Sequence, residues 1–310
     1  MFVPFSPSLL RLPILPSIAT LVNPASTLIR IIIRIFRTLL LVLLSHLPGS
    51  QQAIKKISVA NTGILYHDGR ALATCESGPP IRVSLPGLET VGWFDGGKAE
   101  GEPATEDTPG DTFGGDGLLG FMKEWTTAHP RVDPVTKELI LFHSTFLSPF
   151  IFYSIIPSSA NAHTSTPPSR LVNAAVPGIG SAKMMHDFGV SFTHTIIMDL
   201  PLSLDPRNLA KNEPVVSYDP SGKSRFGIFP RWNPKAVRWY ETNPCCIFHT
   251  ANTWDETEIN PVTNEQETIA VNMLACRLTS AALVFSAGDV AAPIPKKVTS
   301  PKYAPEEEQC

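Results

Sequence analysis

Residues 29–47 are almost wholly Ile, Leu, Val and Phe, with Arg30, Arg34 and Arg37 at i, i+4 and i+7 on one helical face. Each arginine would cost about 2.5–3.5 kcal/mol near a bilayer centre. The pattern therefore predicts an amphipathic helix in the headgroup region, with a true span and a buried helix as the alternatives. Pro48-Gly49-Ser50 ends it, which sets a segment of 29–49. Residues 1–28 before it are Pro-, Ser- and Leu-rich, lack a basic stretch ahead of an apolar core, and read as irregular rather than as a secretion signal. From Ile54 the pattern turns strand-like. Lys56 to Tyr66 reads as a strand, His67-Asp68-Gly69-Arg70 as a tight hairpin turn, and Ala71 to Glu76 as the returning strand. Val83 to Phe94 offers two more short strands, Val190 to Met198 is rich in β-formers, and Arg225 to Arg231 reads as a strand with structural arginines. Two polar stretches interrupt this. Residues 96–117 are acidic, glycine-rich and too poor in apolar residues to form core, so a surface loop is predicted; 156–169 is a second one. Residues 289–310 form a Pro/Lys/Glu-rich tail.

Composition supports the same picture. Thirty prolines and 20 glycines among 310 residues favour short strands and turns over long helices, hence an all-β chain. Hydrophobic content of 43% supports a substantial core, and a net charge of −3 removes any electrostatic case for nucleic acid. The five cysteines form no Cys-x-x-Cys pair and no disulfide framework: Cys245 and Cys246 adjoin, Cys75 and Cys276 stand alone, and Cys310 is terminal. A reducing cytoplasmic compartment is expected, with peripheral contact at a membrane through 29–49.

Candidate chemistry lies in the histidines. His129 sits in Ala-His-Pro-Arg-Val-Asp, His186 in Met-Met-His-Asp-Phe and His249 in Phe-His-Thr-Ala-Asn, 57 and then 63 residues apart. Imidazoles so widely spaced share one metal only if separate structural units point at a common axis. His46, His67, His143, His163 and His194 have no such setting and are expected to be surface or core residues.

Together with Asn61 to Ala73, Glu76-Ser-Gly-Pro-Pro, Leu88-Glu-Thr-Val-Gly and Cys246 to Glu256, these motifs resemble the carotenoid oxygenase family over roughly residues 50–288. The chain resembles a fungal-type member truncated at both ends, because the family's opening glycine-rich strand motif has no counterpart before Asn61. The resemblance implies a seven-bladed β-propeller, here incomplete over 50–288, with a non-haem Fe(2+) on its axis. It makes His129, His186 and His249 the first three of four metal ligands; no histidine follows His249 to supply the fourth. It also implies glutamates accepting the N–H of three ligands, of which Glu76 matches one. No catalytic residue beyond the metal ligands is implied. Asp187 and Glu256 are expected to be structural, since a neighbour along a strand faces the opposite side.

The resemblance further implies oxidative cleavage of a C=C bond by dioxygen, in a lipophilic polyene drawn from a membrane. Where stilbenoid-cleaving members hold a lysine beside the Glu76 position, this chain has Cys75, which cannot donate a charged hydrogen bond. That favours a carotenoid or apocarotenoid over a phenolic stilbene. An inactive propeller fragment that binds a lipid or a partner is one rival reading, and a metal hydrolase built on the same histidines is another.

Overall fold

A computed structural model describes residues 32, 33, 36, 40, 60–76, 78–103, 112–113, 125–158, 170–211, 213, 215–278 and 280–286. Of the helix expected over 29–49, Ile32, Ile33, Phe36 and Leu40 are described, and all four are helical and exposed. The rest of that segment, the irregular 1–28 stretch and the 289–310 tail lie outside the described residues.

Separate antiparallel sheets make up the described fold, as the proline, glycine and turn pattern predicts. The first runs β1 (Gly63–His67), β2 (Arg70–Thr74), β3 (Ile81–Val83) and β4 (Thr90–Trp93), paired in chain order. Its opening turn holds Asp68 at φ 49° and Gly69 at φ 75°, the left-handed pair that a two-residue hairpin of this twist requires. A second sheet holds β5 (Trp125–Thr126), β6 (Arg131–Val132), β7 (Leu139–Ser144), β8 (Ile151–Ile156) and β9 (Leu171–Ala175), with β5 and β6 both paired to β7. The third is built from β10 (Gly189–Val190), β11 (His194–Asp199), β14 (Ser224–Pro230) and β15 (Arg238–Thr242). Strands β12 (Leu202–Leu204) and β13 (Val216–Tyr218) pair with each other in the excursion between β11 and β14. A long hairpin follows, β16 (Cys246–Ile259) with β17 (Gln266–Leu278), and then a short helix, α1 (Ala282–Ser286).

Strand β7 explains how the sheets hold together. Its Leu139-Ile-Leu-Phe-His run is buried throughout, as a strand covered on both faces must be. Leu139 and Leu141 pack with Leu72, Phe94 and Phe113 toward the first sheet. Ile140 and Phe142 face the other way, into a cluster with Tyr153, Phe188, Ile197 and Phe229 that joins the second sheet to the third. The period-2 alternation of one strand thus feeds two cores.

Two described residues of the 96–117 stretch depart from its expected place on the surface. Among its described residues Ala99 and Phe113 are buried, and Phe113 sets its ring against Phe94 at 6.1 Å and His143 at 4.9 Å. Glu102 folds back onto the first sheet, accepting from Arg70 Nε and Nη2 at 2.9 Å each and from Arg82. One aromatic plug and one doubly paired carboxylate anchor an otherwise polar loop; average composition conceals both.

His143 is buried on β7, its ring nitrogens bonded to Thr126 Oγ1 and Ser154 Oγ at 2.9 Å each. Burial pushes its pKa down to about 3, and burial likewise lowers that of His67. Below the ordinary imidazole pKa of about 6.5 the unfolded chain therefore binds protons that the folded chain refuses. The corresponding stability is complete above that pH and is lost as the pH falls toward 3. His143→Gln, compared with the wild type by urea unfolding at pH 7 and pH 5, is expected to flatten this slope, which for one such group is at most about 1.4 kcal/mol per pH unit. Equal slopes in both proteins would refute the assignment.

Candidate metal centre

Each of the three singled-out histidines arrives from a different element. His129 lies in the link between β5 and β6, His186 in the irregular segment before β10, and His249 within β16. Local sequence explains each placement. Thr74, at the end of β2, donates its hydroxyl to Ala128 O at 2.7 Å and so docks the His129 link on the first sheet. Gly189 follows His186 where β10 meets the hairpin; a Cβ there would stand 2.8 Å from Thr253 Oγ1 and 3.0 Å from Met273 Sδ. On β16 the register shifts between Ile247, paired with Arg277, and Thr250, paired with Ala275. Phe248 and His249 therefore oppose Cys276 alone, a bulge that re-aims the His249 side chain.

These placements bring the three imidazoles together. His129 Nε2 lies 2.9 Å from His186 Nε2, which lies 3.3 Å from His249 Nε2. One ligand atom from each residue lies within 4.8 Å of the others. The rings meet edge to face, with centroids 4.6 to 5.0 Å apart. Behind His186, Nδ1 approaches Glu76 Oε1 at 2.9 Å. That contact keeps the proton on Nδ1 and turns the Nε2 lone pair inward. At these distances the His186 Nε2 lone pair can accept an Nε2–H from a neighbouring imidazole, and the same inward-facing nitrogens can instead ligate a cation. Metal–nitrogen bonds of about 2.0–2.1 Å put neighbouring ligand atoms roughly 2.8–3.0 Å apart in octahedral geometry and roughly 3.3–3.4 Å apart in tetrahedral geometry. The donor set and the two close separations fit a divalent transition metal.

Electrostatics favour the ligand-competent forms. Burial first, and then the neighbouring His186, hold the His129 pKa below the ordinary imidazole value. Burial opposes ionisation of Glu76, but the hydrogen bond with His186 and the backbone outweigh it and keep the carboxyl below its usual range. Glu76 lies in a turn two residues past β2, so the returning strand expected to run to Glu76 stops at Thr74.

The other described histidines stay apart from this group. His67 and His143 are buried, and His194 has its ring 3.8 Å from Asp255. His46 and His163 lie outside the described residues. Glu256 is exposed on β16. Asp187 is buried, as a structural residue should be, but not for the reason expected: it lies in an irregular segment, not a strand, so strand alternation does not place it. Its carboxylate meets Arg131 and Thr250, which sequence reasoning did not single out. The available signal was their position, each within two residues of a candidate ligand. Of the arginines on the β14 segment, Arg225 pairs with Asp199 and covers the Trp239 ring at 4.6 Å, and Arg231 pairs with Asp133. The described cysteines, Cys75, Cys245, Cys246 and Cys276, are in no disulfide.

Comparison with known proteins agrees with the motifs. The family model described as retinal pigment epithelial membrane protein, RPE65, matches residues 20–308. A carotenoid dioxygenase, carX, of Gibberella fujikuroi is 56% identical over 302 residues, covering 96% of this chain and 42% of that protein. A carotenoid 9,10(9',10')-cleavage dioxygenase of Arabidopsis thaliana is 32% identical over 237 residues, covering 74% of this chain and 36% of the relative. Among solved structures, a lignostilbene dioxygenase of Pseudomonas brassicacearum aligns with a TM-score of 0.47 at 24% identity, over 67% of this chain and 38% of that one. The chain thus spans about two fifths of the length of such relatives. With the family model covering nearly all of its length, the chain belongs to the carotenoid oxygenase family, that of the retinal pigment epithelial membrane protein.

Proposed function

We propose that the protein is a non-haem iron(II) oxygenase that cleaves a C=C bond of a carotenoid or apocarotenoid into two carbonyl products. The observation that carries this reading is the convergence of His129, His186 and His249, with Glu76 orienting the central imidazole. In this reading the three imidazoles hold iron, which supplies the activation of dioxygen. His129, with its lowered pKa, stays neutral and available as a ligand. Glu76 accepts the His186 Nδ1 proton and retains it there.

The sheets described above are, in this reading, blades of a seven-bladed propeller. Support comes from their antiparallel pairing of strands close in sequence and from side chains of distant segments meeting at one point. A polyene substrate is supported by the likeness to a carotenoid dioxygenase and by Cys75, which offers no cation to a phenol. Peripheral membrane contact is supported by Ile32, Phe36 and Leu40, which are exposed and spaced by one helical turn. Among the described residues no helix is long and apolar enough to cross a membrane. A reducing compartment such as the cytoplasm accords with described cysteines that are in no disulfide.

The test is to load the protein anaerobically with Fe(II), admit air, and follow an apocarotenal by absorbance and mass spectrometry. The expected result is oxygen-dependent bleaching with two carbonyl fragments. Cleavage of a phenolic stilbene in its place would move the substrate class. Turnover under argon would point to the hydrolase reading. Iron held by the three histidines without product from any polyene would favour a binding protein.

A further inference from the structure

We propose that Asp187 is a positioning residue for His249, clasping the three histidine-bearing segments one layer behind the imidazoles. The inference rests on the metal-centre reading above and extends it to a group that touches no ligand atom. Asp187 is 1% exposed, and a carboxylate so buried is tolerated only where its lone pairs are satisfied. They are. Arg131 Nη2 donates to both oxygens, at 2.9 and 2.7 Å, and Phe188 N donates at 2.8 Å. Thr250 adds its backbone N–H at 2.8 Å and its hydroxyl at 3.0 Å. The set fills the roughly four acceptor sites that a carboxylate has.

The donors' positions give the arrangement its meaning. Arg131 lies two residues past His129, Asp187 adjoins His186, and Thr250 adjoins His249. The first two segments have an additional link: Thr127 Oγ1 accepts from His129 N and donates to His186 O, each at 3.1 Å. Around Thr250 the polar links run instead to Asp187, to Phe188 O at 3.2 Å and to Arg131 Nη2 at 2.7 Å. This is also where β16 bulges, so ladder pairing alone does not fix His249. The Asp187 carboxylate supplies that constraint. Asparagine cannot replace it, since its amide N–H groups would face Arg131 and Thr250, which are themselves donors.

The test is the Cu(II) affinity of the full chain, since copper lies at the top of the divalent series and weak variants stay measurable. Electron paramagnetic resonance counts the coordinated imidazole nitrogens. Asp187→Asn is expected to weaken Cu(II) binding about 10- to 100-fold, the range for an outer partner of a ligand. The nitrogen count is expected to fall from three to two. In a His249→Ala background the same substitution should change affinity by no more than about twofold, the scatter of independent effects. Should Asp187→Asn fail to fold, Thr250→Val and Thr250→Ser serve: valine weakens binding and loses one nitrogen, while serine, which keeps both donors, behaves as wild type. The proposal is overturned if Asp187→Asn leaves affinity and nitrogen count intact, or weakens binding equally in both backgrounds. It is also overturned if Thr250→Val matches Thr250→Ser. A wild-type chain that binds no Cu(II) through the three histidines refutes the metal-centre reading itself, an outcome distinct from all of these.

Discussion

His186→Ala is expected to lower the affinity for a divalent transition metal by more than about a hundredfold, beyond the range for losing an outer partner of a ligand. The reason is its central place. His186 Nε2 is within 3.3 Å of both other imidazoles, so its removal leaves two donors without their shared neighbour. Glu76 loses its hydrogen-bonded imidazole at the same time. The fold should be affected far less. The His186 and Glu76 side chains are 20% and 40% exposed, so water can occupy the space and satisfy the carboxylate. Titration with Co(II), alongside a urea unfolding curve, separates the two effects. An unchanged Co(II) affinity with an intact fold would remove His186 from the centre; a collapse of the fold would make its role structural.

Arg231→Ala is expected to destabilise the protein by about 3–5 kcal/mol, the cost of leaving one member of a buried ion pair alone. Its side chain is 5% exposed, and it joins two sheets. Nη2 donates to Asp133, whose side chain is 3% exposed, while Nε donates to Ser191 O at 2.6 Å, next to β10. Without the guanidinium, Asp133 keeps the backbone donors of Val135 and Thr136 at 2.7 and 2.8 Å but no counter-charge. Arg231→Lys should recover only part of the loss, because an ammonium cannot span the Asp133 carboxylate and the Ser191 carbonyl as the planar fork does. The measurement is the urea midpoint of each variant at pH 7. A loss below about 1 kcal/mol, the range of a surface pair, would show that the site is wetter than its burial indicates.

The two substitutions distinguish what the local pattern can reveal from what it cannot. Asp68-Gly69 announces its hairpin because both residues must take positive φ, a demand that their chemistry meets without help from the rest of the chain. The candidate ligands are legible for a different reason: each carries a short motif resembling one family, and their order along the chain is that family's order. Arg231 was read as structural, but its partner Asp133 lies 98 residues away and could not be named. Phe113 shows the opposite failure. Ten charged or threonine residues and seven glycines around it read as a surface loop, yet the space between Phe94 and His143 selects its ring and buries it.

Asp187 marks the boundary most clearly. Its place beside His186 invited a rule of strand alternation, which fails because the segment is not a strand. Its burial and its partners depend on three segments arriving together, and no periodicity encodes that meeting.

The all-β character, the turns and three candidate imidazoles are legible in the residues alone, since each follows from local sterics, short-range periodicity or motif. Packing of the whole chain is what brings those imidazoles to 2.9 and 3.3 Å, sets Glu76 behind His186, and lets Asp187 tie the three segments. These facts depend on how distant strands pack and where β16 bulges, and such long-range geometry is fixed by the sum of the contacts rather than by any one stretch of chain.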